Sequence, residues 1–181
     1  MTVRLIVPPV EMAVSLTDAR TAARVSGNAL DGEIESHVRG ITESEVELLT
    51  GRAVIFQTHR LTLDSFPDAI RLPAPPVSSV GSVKYLDVDG VEQTLDPADY
   101  ELDAESEPSY LVPAPGCSWP ATMERVNAVK VEVICGYGAT EAATPPGIKS
   151  YILARVAEIY APPGTQESPH LVRLLDRFKV Y

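Results

Sequence analysis

Ser82-Val-Lys-Tyr-Leu-Asp-Val-Asp-Gly-Val-Glu-Gln-Thr-Leu-Asp-Pro-Ala-Asp-Tyr-Glu-Leu102 decides how the rest of the chain is read. Val83 and Tyr85 alternate with Lys84 and Asp87, and Val91, Gln93 and Leu95 alternate with Glu92 and Thr94, the period-two pattern of half-buried strands. The runs meet at Asp89-Gly90, a pair that tolerates positive φ, so the stretch predicts a β-hairpin closed by a two-residue primed turn. Asp96-Pro97-Ala98-Asp99 is a turn, and Tyr100–Asp103 and Ser109–Pro113 read as two further short strands.

Working outward, the pattern stays β-rich. Upstream, residues 53–66 alternate with Ile55, Gln57, His59, Leu61 and Leu63 on one parity, and Ile70-Arg71-Leu72 is a short strand stopped by Pro73. Downstream, Val129, Val131, Val133 and Cys135 alternate with Lys130 and Glu132 in a final strand, and Trp119 pins an intervening loop and is expected to be mostly buried. A β-rich insertion at about 53–137 results, set between helical segments.

Those segments complete an α+β class with a small α-helical core. Residues 1–14 form an extended arm, held out of helix by Pro8 and Pro9, that adds to a sheet edge or reaches a neighbouring subunit. A helix near 15–26 starts at a Ser15 cap and is closed by Gly27. A second, near 29–50, carries Leu30, Ile34, Val38, Ile41 and Leu48 on one stripe with Leu49 beside them, and Glu33, Glu35, Glu43, Glu45 and Glu47 mostly elsewhere. The acidic residues are most simply a solvated helix face; their functional reading is a negative wall against something that should not bind. A helix near 146–160 starts at Pro145-Pro146 and buries Ile148, Ile152, Val156 and Ile159, expected to pack on the second helix. Residues 165–181 form a C-terminal interaction segment, a short helix or arm with apolar Leu171, Leu174, Leu175 and Phe178 and basic Arg173, Arg177 and Lys179, which either docks on its own core as a final helix or, set off by Pro162, Pro163, Gly164 and Pro169, reaches a groove on a partner.

At 181 residues the chain fits one domain with an elaboration. A formal net charge of −10 argues against nonspecific attachment to nucleic acid or anionic membrane, because phosphate affinity comes from Lys and Arg. Cys117 and Cys135 form no CxxC pair, no window approaches a membrane span, and Met1–Val10 lacks a signal-peptide pattern, so a reducing cytosol is the expected site of synthesis. No nucleophile elbow occurs, and His37, His59 and His170 sit in separate elements without metal-ligand spacing. Gly136-x-Gly138 reads as a strand terminator, not a phosphate loop. No catalytic residue, metal site or cofactor is assigned.

The order of "SLTDAR", "LLTGRAVIFQT", "IRLPAPPVSSVGSVKYLDVDGVEQTLDPADYELD", "VPAPGCSWPAT", "NAVKVEVICGYG" and "PPGIKSYILARVAEIY" resembles the head-to-tail connector (adaptor) proteins of long-tailed phages and phage-like gene transfer agents. The resemblance covers nearly the whole chain and is most specific from Arg71 to Tyr100. It implies a non-enzymatic virion protein that forms a ring, usually of twelve subunits, under the portal, extends the DNA channel without sequence-specific binding, and receives the next neck or tail-completion protein. It implies portal-facing roles for Arg173, Arg177, Phe178, Lys179 and Tyr181, and a channel or subunit-interface role for Glu43, Glu45 and Glu47. It places the protein in the virion neck, with the host cytoplasm as its site of assembly and no membrane partner. The competing reading is a soluble β-rich module presenting Trp119, Tyr85, Tyr100 and Tyr110 to a small molecule or glycan, which requires clustered exposed aromatics. An enzyme would need a formed pocket joining His59 to a carboxylate of perturbed pKa.

Overall fold

The computed structural model describes residues 1–165 and 168–180. The chain divides into two compact units: Met1–Pro8 with Gln57–Gly136, and Pro9–Phe56 with Tyr137 onward. The architecture is α+β, with the named strands in the first unit and the α-helices in the second. The strand-bearing unit thus begins a little later than residue 53 and takes in the N-terminal arm.

In the first unit, β1 (Thr2–Val7), β2 (Gln57–Leu63), β8 (Val129–Cys135), β4 (Val77–Leu86) and β5 (Glu92–Thr94) form an antiparallel sheet in that spatial order. β3 (Ile70–Arg71), β7 (Tyr110–Pro113) and β6 (Tyr100–Asp103) form a second, smaller sheet. The arm takes the sheet-edge option, pairing Val3 with Leu61 and Leu5 with His59. Strict alternation buries one face of the large sheet: Leu61, Val83, Val129, Val131, Val133 and Cys135 are all inaccessible. Ile70, Leu72 and Leu111, of and beside the small sheet, are equally buried, and the Cys135 thiol donates to the carbonyl of Pro73, directly after Leu72. The small sheet therefore lies on the apolar face of the large one, and on the other face Arg4 is exposed while Arg60, Lys84, Lys130 and Glu132 are half-exposed.

The hairpin forms where expected, pairing Lys84 with Thr94 and Leu86 with Glu92, but its turn differs. The Gly90 N–H bonds to the Asp87 carbonyl at 2.9 Å and only Gly90 takes positive φ (79°), so the chain turns over Asp87–Gly90 rather than in a primed Asp89-Gly90 pair. The cause is Asp87, whose carboxylate accepts the N–H groups of Asp89 and Val91 and holds the wider turn.

In the second unit, α1 (Leu16–Ala23) starts where the Ser15 hydroxyl accepts the Asp18 N–H. It stops at Arg24, which takes left-handed φ (56°), and not at Gly27, because the Arg24 and Val25 N–H groups already satisfy the carbonyls of Thr21 and Arg20. The second helix is not uniform: α2 (Asp31–Ile41) passes into a π-helical segment, Thr42–Glu47, and then a last α-turn, α3 (Leu48–Thr50), closed by Gly51 at φ 72°. This changes which face is buried. Ile34, Val38 and Ile41 are in the core as the stripe requires, but Val46 and Thr50 continue it, while Leu48 is 78% exposed, Leu49 40% and Leu30 37%. Fourfold steps in an α-helix overrun one turn by about 40° each, and the wider π segment takes up that drift. Leu48 is rotated outward as a result.

α4 (Pro146–Ile159) buries Ile148, Tyr151, Ile152 and Val156, whereas Ile159 at its end is 44% exposed. It packs on α1 and on the C-terminal segment as well as on α2. That segment is a 3-10 helix, Leu171–Phe178, in which Val172, Leu175 and Phe178 eclipse at threefold spacing. Leu175 and Phe178 belong to the core of this unit.

Candidate interaction surfaces

The C-terminal segment is docked on its own unit. Gly147 near the start of α4 allows this, since a Cβ there would lie 2.9 Å from the Phe178 ring and 3.4 Å from the Leu174 carbonyl. Arg52, itself buried, donates to the Phe178 carbonyl, and the Val180 N–H bonds to the Thr50 carbonyl at 3.0 Å. Phe178 at 9% exposure is therefore a core residue, which corrects its reading as a partner-facing one. Arg173 and Arg177 are exposed, Arg177 lying over the Phe178 ring at 4.6 Å, and half-exposed Lys179 pairs with Asp176 at 2.7 Å. Tyr181 lies outside the described residues.

The three glutamates differ. Glu43 is exposed. Glu47 turns back to accept the Val54 N–H at 3.1 Å, tying the helix end to the extended segment that follows it within the same unit. Glu45 sits in a network that the sequence reading missed: Arg155 Nε donates to it at 2.9 Å, the Tyr151 hydroxyl donates to it too, and Arg155 also holds Glu158 at 2.6 Å. Glu158 in turn accepts the Ser168 N–H at 2.7 Å, so the network reaches the start of the C-terminal segment. Burial alone would push Glu45 up, but the hydrogen bonds from Arg155 and Tyr151 outweigh it and hold the carboxyl below its ordinary value. Burial, reinforced by the Glu45 bond, raises the Tyr151 hydroxyl well above its ordinary range, and the Glu45 bond keeps Arg155 firmly charged. The signal was present in the sequence, because Tyr151, Arg155 and Glu158 recur at four and three residues on one helix face.

His59 has neither ring nitrogen hydrogen-bonded among the described residues, and burial lowers its pKa with no carboxylate involved. Trp119 is half-buried rather than mostly buried, stacked on Phe66 at 4.8 Å with its indole N–H on the Asp68 carbonyl. Tyr85 meets the other side of this pair through Phe66 at 5.7 Å, but no ring contact joins Tyr100 or Tyr110 to it among the described residues. No group of three potential metal ligands occurs among the described residues, and no described helix is long and apolar enough to cross a membrane.

No protein-family model matches the sequence, and no curated protein matches it. Solved structures do. Over its entire length the chain superposes on a chain in the virion of a native gene transfer agent particle, with TM-score 0.79, 22% identity and 96% of that chain covered. The fold is shared. A chain in the neck of an empty gene transfer agent particle, computed with C6 symmetry, gives TM-score 0.77 at 20% identity, and one in the neck of a native particle, computed with C12 symmetry, gives 0.71 at 23%. In both, all of this chain and 96% of the other are covered.

Proposed function

We propose that this protein is a non-enzymatic structural component of the neck of a tailed-phage-like or gene transfer agent particle, a connector that forms a ring between portal and tail. The observation that carries the reading is the end-to-end likeness to chains of such particles, two of them from necks, reached independently of the sequence resemblance to connector proteins. In this reading the ring extends the DNA channel. An acidic chain suits a lumen that DNA must pass, because each Lys or Arg contact to phosphate would hold the DNA back. The portal-facing residues are Arg173 and Arg177, exposed on the docked C-terminal helix, Lys179 directly after it, and Tyr181. Of the three glutamates, Glu43 is the one available to a channel or neighbouring subunit without dismantling an internal contact. Twelve subunits, the portal above and a further neck or tail protein below complete the proposal.

Immunogold labelling of purified particles with an antibody to this chain tests it. Label at the head–tail junction is expected; label over the capsid, at the tail tip, or absent from particles would overturn it.

A further inference from the structure

The solvent face of the large sheet carries charge in an arrangement that its own chain does not satisfy. Cross-strand partners share a face, and the register sets Arg4 opposite Arg60 and Lys84 opposite Lys130. Like charges directly opposed destabilise a sheet. Glu132 beside Arg60 and Glu92 on Lys130 relieve two of the four, at 2.6 and 2.7 Å. The register puts Glu92, Lys84, Lys130, Glu132 and Arg60 on one side of the sheet, and Lys130 first, with Lys84 and Arg60 adding to it, lowers the Glu92 carboxyl. Arg4 and Lys84 have no ion-pair partner among the described residues.

The strand-bearing unit holds six Lys and Arg against thirteen Asp and Glu. Four of the six, but only two of the thirteen, lie on this face, so the rest of the unit is left with two basic and eleven acidic residues. The acid is concentrated at Asp96, Asp99, Glu101, Asp103, Glu105 and Glu107, on and beside β6, without a Lys or Arg among them. That strand belongs to the small sheet, which lies against the opposite, apolar face of the large one. A basic front and an acidic back on one unit cannot meet within a copy. Between copies they can, and a repeated front-to-back contact is the heterologous geometry that closes into a ring.

We infer that the exposed face of the β1-β2-β8-β4-β5 sheet, centred on Arg4 and Lys84, is a docking surface for a second copy of this chain, received through its acidic 96–107 segment. The inference rests on the proposed ring and adds to it the surface and the charge logic of the subunit contact.

Particles are produced with the full-length chain as wild type, Arg4→Glu/Lys84→Glu, Glu101→Lys/Glu105→Lys, or all four changes together, and copies per portal are counted by quantitative mass spectrometry. Each double variant is expected to fall about tenfold or more, and the combined variant to return to within about threefold of wild type, as complementary charge across an interface requires. Melting of the purified variants separates misfolding from lost docking, and Arg4→Gln/Lys84→Gln, with a smaller fall, replaces any reversal that melts early. Double variants at wild-type copy number would overturn the sheet-face contact while leaving the neck reading standing. A combined variant that stays low would overturn the pairing with a second copy, as would losses that track retention of duplex DNA instead. Absence of even the wild-type chain from particles would overturn both readings.

Discussion

His59 is held where its own chemistry disfavours it. Leu5 and Val133 flank it across the strands, both ring nitrogens lack hydrogen-bond partners among the described residues, and burial lowers its pKa below the ordinary 6.5. The folded state therefore binds this proton less readily than the unfolded chain. Stability is intact above about pH 6.5 and erodes as pH falls from there toward the depressed folded value. Urea midpoints are expected to drop between pH 7.5 and 5.5 for the wild type and to drop less for His59→Leu; equal drops would contradict the assignment. Gly147 makes the second prediction at this scale. Gly147→Ala sets a methyl against a buried ring and a backbone carbonyl, so a loss of about 1–3 kcal/mol is expected, read by chemical denaturation together with earlier proteolysis beyond Leu171.

Among the elements, the helix running from Asp31 to Thr50 separates structural from available charge. Glu45→Lys places a cation beside Arg155 and is expected to cost about 1–3 kcal/mol, a charge-assisted pair lost. Glu43→Lys, at an exposed position, is expected to change stability by less than about 0.5 kcal/mol. Thermal melts of the two variants check this directly, and only the Glu43 variant reports cleanly on assembly or DNA ejection. The same helix shows what the sequence could and could not reveal. Its span and its first three core residues follow from spacing, as does the strand β8, and the Ser15 cap follows from residue type; the hairpin is legible too, but its register is not, since a two-residue Asp89-Gly90 turn would set Leu86 opposite Gln93 and the chain sets it opposite Glu92. The exchange of Leu48 for Val46 and Thr50 does not follow from spacing, because periodicity analysis assumes one constant angle per residue and the π segment changes it. The hairpin turn was misread for a similar reason: a side chain, Asp87, overrides the preference of the Asp-Gly pair. Hydrophobicity alone makes Trp119 a mostly buried residue, and the family resemblance turns Phe178 toward a partner, whereas the burial of each depends on which partner ring or glycine lies opposite, a tertiary fact.

At the scale of the molecule, the C-terminal segment bears most on function. The two sequence readings of this segment, a final helix docked on its own core and an arm for a partner, are compatible: its apolar side is in the core and its basic side outside, so one segment both completes its own unit and offers Arg173 and Arg177 to a partner. Removing residues 170–181 is therefore expected to weaken the fold as well as partner binding, since Leu175 and Phe178 leave the core. Arg173→Ala/Arg177→Ala spares the core and isolates the binding role. The neck reading itself comes from agreement between a sequence resemblance and a full-length likeness in fold; the surfaces named above are what this chain's own residues add. The most direct test of the connector claim is the native mass of the purified full chain mixed with the portal of its own particle. A discrete complex holding a ring of copies on the portal, weakened by Arg173→Ala/Arg177→Ala, is predicted, and a chain that stays monomeric and leaves the portal unbound would contradict the account.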